Sequence, residues 1–157
     1  MRLFCTKNQT KLLGLILILL FILPALALHA QTAERLEALL NEPEVKWQQA
    51  VTFVLEAADI RVENPNDAFR FAKEQKWLPK NVSSGDTVLL NGIALLLMQS
   101  FDIKGGIFYR IFKSPHHAYR ELVYKNVIRG NADPHMLVSG EHLLLMINRI
   151  LTMKEEL

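Results

Sequence analysis

The amino-acid sequence predicts an all-α fold, a small helical domain of two helix-loop-helix units preceded by one or two N-terminal helices. Three observations carry this. From residue 31 onward, apolar residues recur at helical spacing in successive stretches, most of them opened by a capping signal. No run makes a convincing strand. The segment Ala68–Phe101 also matches Ala118–Leu151 without gaps at an offset of fifty residues, and self-similarity at such a period points to stacked supersecondary units.

The chain opens on a different kind of segment. Arg2, Lys7 and Lys11, with no acid among them, precede an apolar run from Leu12 to Leu28 that is broken by Pro24 and gives way to small residues. A basic start, an apolar core and a small-residue exit are the parts of a secretory signal peptide, so residues 1–30 are expected to direct export. Cleavage fits after Ala27 or after Ala30, and the polar Gln31-Thr32 start favours Ala30. The competing reading is an uncleaved anchor, although seventeen residues is short against the about 20 that usually span a bilayer. The one cysteine, Cys5, lies before the apolar run and not at its end, where a lipoprotein needs it.

The helices follow in order. Thr32-Ala33-Glu34-Arg35 opens a short helix through Leu40, with Leu36, Leu39 and Leu40 on one side. Asn41-Glu42-Pro43-Glu44 resembles a capping box for the next, over which Val45, Val51, Val54, Leu55 and Ala58 fall near helical spacing, widened by Trp47 and Phe53. Asn64-Pro65-Asn66-Asp67 starts a third, expected to end near Trp77-Leu78-Pro79 because proline disfavours helix in the residue before it. Asn81 to Asp86 is a polar turn. Leu89–Phe101 is apolar on nearly all sides and is expected to be the buried central helix.

After the break Lys104-Gly105-Gly106, the segment Ile107–Phe112 reads either as a strand or as a helical turn. Ser114-Pro115 caps a helix carrying Tyr119, Leu122 and Val123 that stops around Asn126 to Gly130. Ser139 caps the last helix, through Leu143, Leu144, Ile147, Ile150 and Leu151, which dissolves into Lys154-Glu155-Glu156. No linker divides residues 31–157, which read as one domain: N-terminal helices over 31–64 and units over 65–103 and 104–157.

Charge narrows the function. Residues 1–30 hold three of the eighteen Lys and Arg and none of the sixteen acids, so the remainder carries fifteen bases and sixteen acids, a formal net charge of −1. The pI of 8.7 is therefore a property of the export segment, and a nucleic-acid partner is not expected. Without cysteine, the exported part must be held by its core alone. At 127 residues it can bury roughly two-thirds of its unfolded surface, enough for one domain.

Within the repeat, Ala68 meets Ala118, Arg70 meets Arg120, Asn81 meets Asn131 and Val88 meets Val138. Its second unit, with Ala118-Tyr119-Arg120-Glu121-Leu122, Val127-Ile128-Arg129-Gly130, Asp133-Pro134 and Val138-Ser139-Gly140-Glu141, resembles a surface-layer homology module. The resemblance covers about half of the exported part. It implies a helix, a turn ending in isoleucine and glycine, an irregular loop and a hydroxyl-capped helix. It also implies tethering of an exported protein to cell-wall-linked polysaccharide, usually by three modules together. Two departures stand out. Gly140 follows the cap Ser139 where the family carries a glycan-binding arginine, and Leu89-Leu90 fill both places in the first unit. The loop aromatic expected after the glycine is also missing, with His135 or Met136 nearest.

No residue set meets the requirements of catalysis. Ser83-Ser84-Gly85-Asp86 reads as a polar turn, Glu121 and Glu141 sit where first turns of helices favour acids, and Gly105-Gly106 lacks the rest of a phosphate loop. Adjacent His116 and His117 point about 100° apart on a helix and suit separate partners better than one metal ion, with His135 and His142 the only others that could converge. The expected function is non-catalytic binding in the cell envelope, without metal or cofactor, to a wall polysaccharide or to another envelope protein. Membrane contact is expected only through the export segment. For a glycan, Arg70 and Arg120 would line a site between units with Asn131 and Asp133, unless the arginines serve only to pair with Glu74 or Glu121. For a protein partner, the surface would be built on Phe108, Tyr109 and Phe112, to the extent that this cluster, with Tyr119, is not core.

Overall fold

In the computed structural model, which describes residues 33–62, 64–130 and 133–156, the chain is all-helical; among the described residues only isolated bridges interrupt the helices and loops. Residues 1–30, expected to direct export, lie outside the described residues. The chain divides between Ala38 and Leu39, and the larger unit, Leu39–Leu157, contains every contact given below. Helix α1 covers 33–40. It is followed by α2 (Trp47–Ala57), α3 (Pro65–Glu74), α4 (Leu90–Ser100), α5 (Ile107–Phe112), α6 (Pro115–Tyr124) and α7 (Gly140–Glu155).

Three of the expected caps form. The Asn64 side chain accepts from the Asp67 amide at 3.0 Å, Ser114 from His117 and Ser139 from His142 at 3.2 Å. Each satisfies an N–H that the helix itself leaves open. The box expected at Asn41 does not form. Helix α2 begins five residues later, because Val45 and Lys46 are drawn into extended backbone: Val45 bonds to Val138, and Lys46 bridges Thr87. Gln49 Oε1 then accepts from the Lys46 amide at 3.1 Å. Helix α3 stops before the proline acts, with Lys76 in the left-handed region (φ 59) and the Trp77 amide donating back to the Ala72 carbonyl. Asn126 (φ 58) and Val127 end α6 in the same way.

The centre of the fold is a ring. The amide of Val45 donates to the carbonyl of Val138, that of Val138 to Val88, and that of Val88 to Val45, at 2.9, 3.0 and 2.9 Å. All three valines are fully buried. Each is followed by an extended N-cap residue (Lys46, Leu89, Ser139) and then by a helix. The first amide of each of those helices is satisfied by a neighbouring segment: Trp47 donates to Asp86, Leu90 to Met136 and Gly140 to Glu42. Besides the two helix-loop-helix units over 65–100 and 115–155, the segment from Leu39 to Ile60 thus supplies a third quasi-equivalent joint. Helices α2 and α4 also end alike, with Asp59 and Asp102 left-handed and Ile60 and Ile103 donating back to Leu55 and Met98.

As the apolar run predicts, α4 is the buried centre; Ile93, Ala94, Leu96 and Leu97 have no exposure at all. It packs mainly on α6 and also on α2, while α2 packs on α3. Full burial of a leucine or isoleucine side chain contributes on the order of 1.5–3 kcal/mol. Helix α7 runs to Glu155, beyond its expected end, and there Lys154 reaches Phe101, with Nζ 5.8 Å from the ring and 3.4 Å from the backbone carbonyl.

Helix α5 stands apart from this scheme. Val45 and Val88 are 43 residues apart, and Val88 and Val138 are 50. The difference of seven falls in one place. Asn64 follows Ile60 by four residues, whereas the equivalent Ser114 follows Ile103 by eleven. The segment Gly106–Phe112, also seven residues, is thus an insertion between the second and third joints.

Candidate interaction surface

The segment Ile107–Phe112, open between strand and helix in the sequence, is helical. Its start is fixed from outside: Glu121 Oε1 on α6 accepts the Gly106 amide at 2.9 Å. Its end is a left-handed Lys113 (φ 40), whose amide donates to Tyr109 at 2.8 Å. Tyr109 is the one α5 side chain turned inward. It is buried, and its hydroxyl is 2.6 Å from Gln99 Nε2 on α4. Burial pushes its pKa up to about 12, because the phenolate would lose its hydration. A side chain on Gly105 would strike the Tyr109 ring, so the glycine lets the chain pass close.

With Tyr109 filling the inward position, the other apolar side chains face solvent. Ile107, Phe108, Ile111 and Phe112 are 71, 68, 66 and 61 % exposed. The His117 ring stacks on Phe108 and Phe112, with centroids 6.2 and 5.5 Å away. The aromatic cluster therefore splits. Tyr109 is core and not surface, Tyr119 is half-buried, and Phe108 and Phe112 form the expected exposed part.

Cations surround this face. Lys104, Arg110 and Lys113 line one hollow beside Tyr109, together with Asp102. On the other side, a cleft of about 620 Å³ runs between Phe112 and the α3–α4 loop, floored by Leu78 and Leu95. Lys73, Lys76, Lys80 and Lys113 line it, and no acid does. The sequence reading missed these lysines. Three of them sit singly around the end of α3, and only the fold places Lys113 opposite them.

The residues expected to bind a glycan are not drawn together. Arg70 is exposed on α3 and committed to its own helix, 2.5 Å from Asp67 and 4.0 Å from Glu74. Arg120 is exposed on α6, and Glu121, its possible partner, is taken by Gly106. Asn131 lies outside the described residues. Asp133 is exposed and accepts from the His135 amide at 2.8 Å, closing its own loop. The place of the family's arginine is closed as well, since any side chain on Gly140 would overlap the carbonyl of Leu39.

The polar turn forms as expected, with Asp86 accepting the Ser83 amide at 2.7 Å. His116 and His117 contact each other edge to face at 5.4 Å. Burial, and after it the charge of Arg149, lowers the pKa of His142. Among the described residues, no group of three or more His, Cys, Asp or Glu could hold a metal ion, and no helix is long and apolar enough to cross a membrane. Comparison with protein-family models, with curated proteins and with solved structures gives no match.

Proposed function

We propose that the protein is an exported, non-catalytic binding module of the cell envelope whose working surface is the α5 face. The observation that carries this is the exposure of Ile107, Phe108, Ile111 and Phe112 on one inserted helix. Contiguous apolar surface of this kind on a soluble domain marks an interaction site. Two further features support it. The insertion adds nothing to the valine ring, and its two anchors, Tyr109 to Gln99 and Gly106 to Glu121, hold the apolar side chains outward.

The three joints around the ring support the resemblance to surface-layer homology modules, which usually act in threes. The glycan role that this resemblance implies draws less support, with Arg70 held in ion pairs on its own helix and no room for a side chain at position 140. The scaffold is then one on which an added helix, not an inter-unit arginine, makes the contact.

The test is association with isolated envelopes by the protein and by the double variant Phe108→Ser/Phe112→Ser. Both side chains already face water, so the variant should fold with an unchanged far-UV spectrum and lose at least ten-fold in envelope binding. Binding that is unaffected by the double change and lost when wall polysaccharide is stripped would replace this reading with the glycan one.

A further inference from the structure

Resting on the reading of α5 as the binding surface, we propose that its partner is the anionic lipid surface of a membrane, into which α5 inserts as a shallow wedge. The apolar part of the surface is small. Four side chains on a six-residue helix offer on the order of a few hundred Å², below the roughly 800 Å² per partner of a stable protein–protein contact. A bilayer needs no more than this, because apolar side chains sunk a few Å into the headgroup boundary, together with basic residues beside them, suffice for interfacial binding.

The charge pattern selects the same partner. Lys104, Arg110 and Lys113 flank the apolar residues on one side, and Lys73, Lys76 and Lys80 lie across the cleft that Phe112 and Lys113 share with them. The acids nearby do not cancel this. Glu74 is within ion-pair reach of Arg70, Glu121 holds the Gly106 amide, and Asp102 alone lines the hollow with Lys104. With sixteen acids against fifteen bases after residue 30, a cluster of cations on one face is a segregation that the composition does not require. A rim that is basic but for Asp102 complements a uniformly negative plane. Long lysine stems can lie along the apolar boundary while their ammonium groups reach lipid phosphates. The sequence-based expectation of membrane contact through the export segment alone is thereby extended to the folded domain.

The experiment uses the full chain carrying an environment-sensitive fluorescent amino acid at position 108 or, as a control, at position 124, toward the other end of α6 from His117. Vesicles of phosphatidylcholine with 30 % phosphatidylglycerol should blue-shift the label at 108 and leave the one at 124 unchanged. Pure phosphatidylcholine should bind at least ten-fold more weakly by the same signal, and so should the Lys76→Glu/Lys113→Glu variant with anionic vesicles. No shift at 108, equal shifts at 108 and 124, or equal response to neutral vesicles would overturn the proposal. The same label in isolated envelopes separates the two claims. Silence with vesicles but a shift in envelopes would refute the lipid and keep α5 as the binding surface for a protein; silence in both would refute α5 itself.

Discussion

Gly140 shows how a single residue carries information that its sequence position cannot explain. In the sequence it stands out as a glycine where the surface-layer homology modules that this segment resembles carry an arginine. In the structure it is the point where the chain at Leu39 crosses the start of α7, and a Cβ would overlap the Leu39 carbonyl, which accepts from the Glu42 amide at 3.0 Å. Gly140→Ala should therefore cost about 1–3 kcal/mol by overpacking, against the slight gain expected of alanine in an unobstructed helix. Urea unfolding read by circular dichroism measures it. Tyr109 gives a second test at this scale. Its folded pKa of about 12 lies above the unfolded value of 10.0, so the stability tied to its proton is fully present below pH 10 and is lost as pH rises toward 12. Wild type should lose more stability than Tyr109→Phe between pH 9 and pH 11.5. Parallel losses in the two proteins would show that Tyr109 does not titrate as a buried phenol.

At the scale of elements, legibility followed length and capping chemistry. Asn64-Pro65, Ser114-Pro115 and Ser139 could be read because a capping side chain acts on its own helix within three residues. Helix α4 could be read because an apolar run with no polar face must be buried. The cap at Asn41 was misplaced because Val45 and Lys46 are claimed by backbone partners about forty and more residues away, a competition invisible to local pattern. Six residues are too few to show a period, so Ile107–Phe112 stayed open between strand and helix. The side chain that decides it, Tyr109, does so through Gln99, ten residues earlier. The expected site divided along the same line. The sequence points to Phe108 and Phe112, which are exposed, but the lysine rim depends on tertiary placement, and of the arginines matched at an offset of fifty, Arg70 pairs within its own helix.

For the whole molecule, the ungapped repeat found the two units of equal internal spacing and passed over the third joint. Residues 75–87 and 125–137 separate the helices of the later two units, while only 41–44 separate α1 from Val45. A shortened loop and a seven-residue insertion each break the register that an ungapped comparison needs. Hydrogen bonding restores it, because three buried valines can close a ring only if their segments meet in equivalent ways. The molecule is thus a scaffold closed by that ring, with the exposed helix α5, the proposed binding surface, set into one of its links.

Removing Gly106–Phe112, so that the link from Ile103 to Ser114 has the length of the link from Ile60 to Asn64, tests that account most directly. The shortened protein should still unfold cooperatively, at a lower temperature because the buried Tyr109 is gone, and should no longer associate with envelopes. Loss of cooperative unfolding would mean that α5 belongs to the scaffold, and a folded protein that still binds envelopes would mean that the binding surface lies elsewhere.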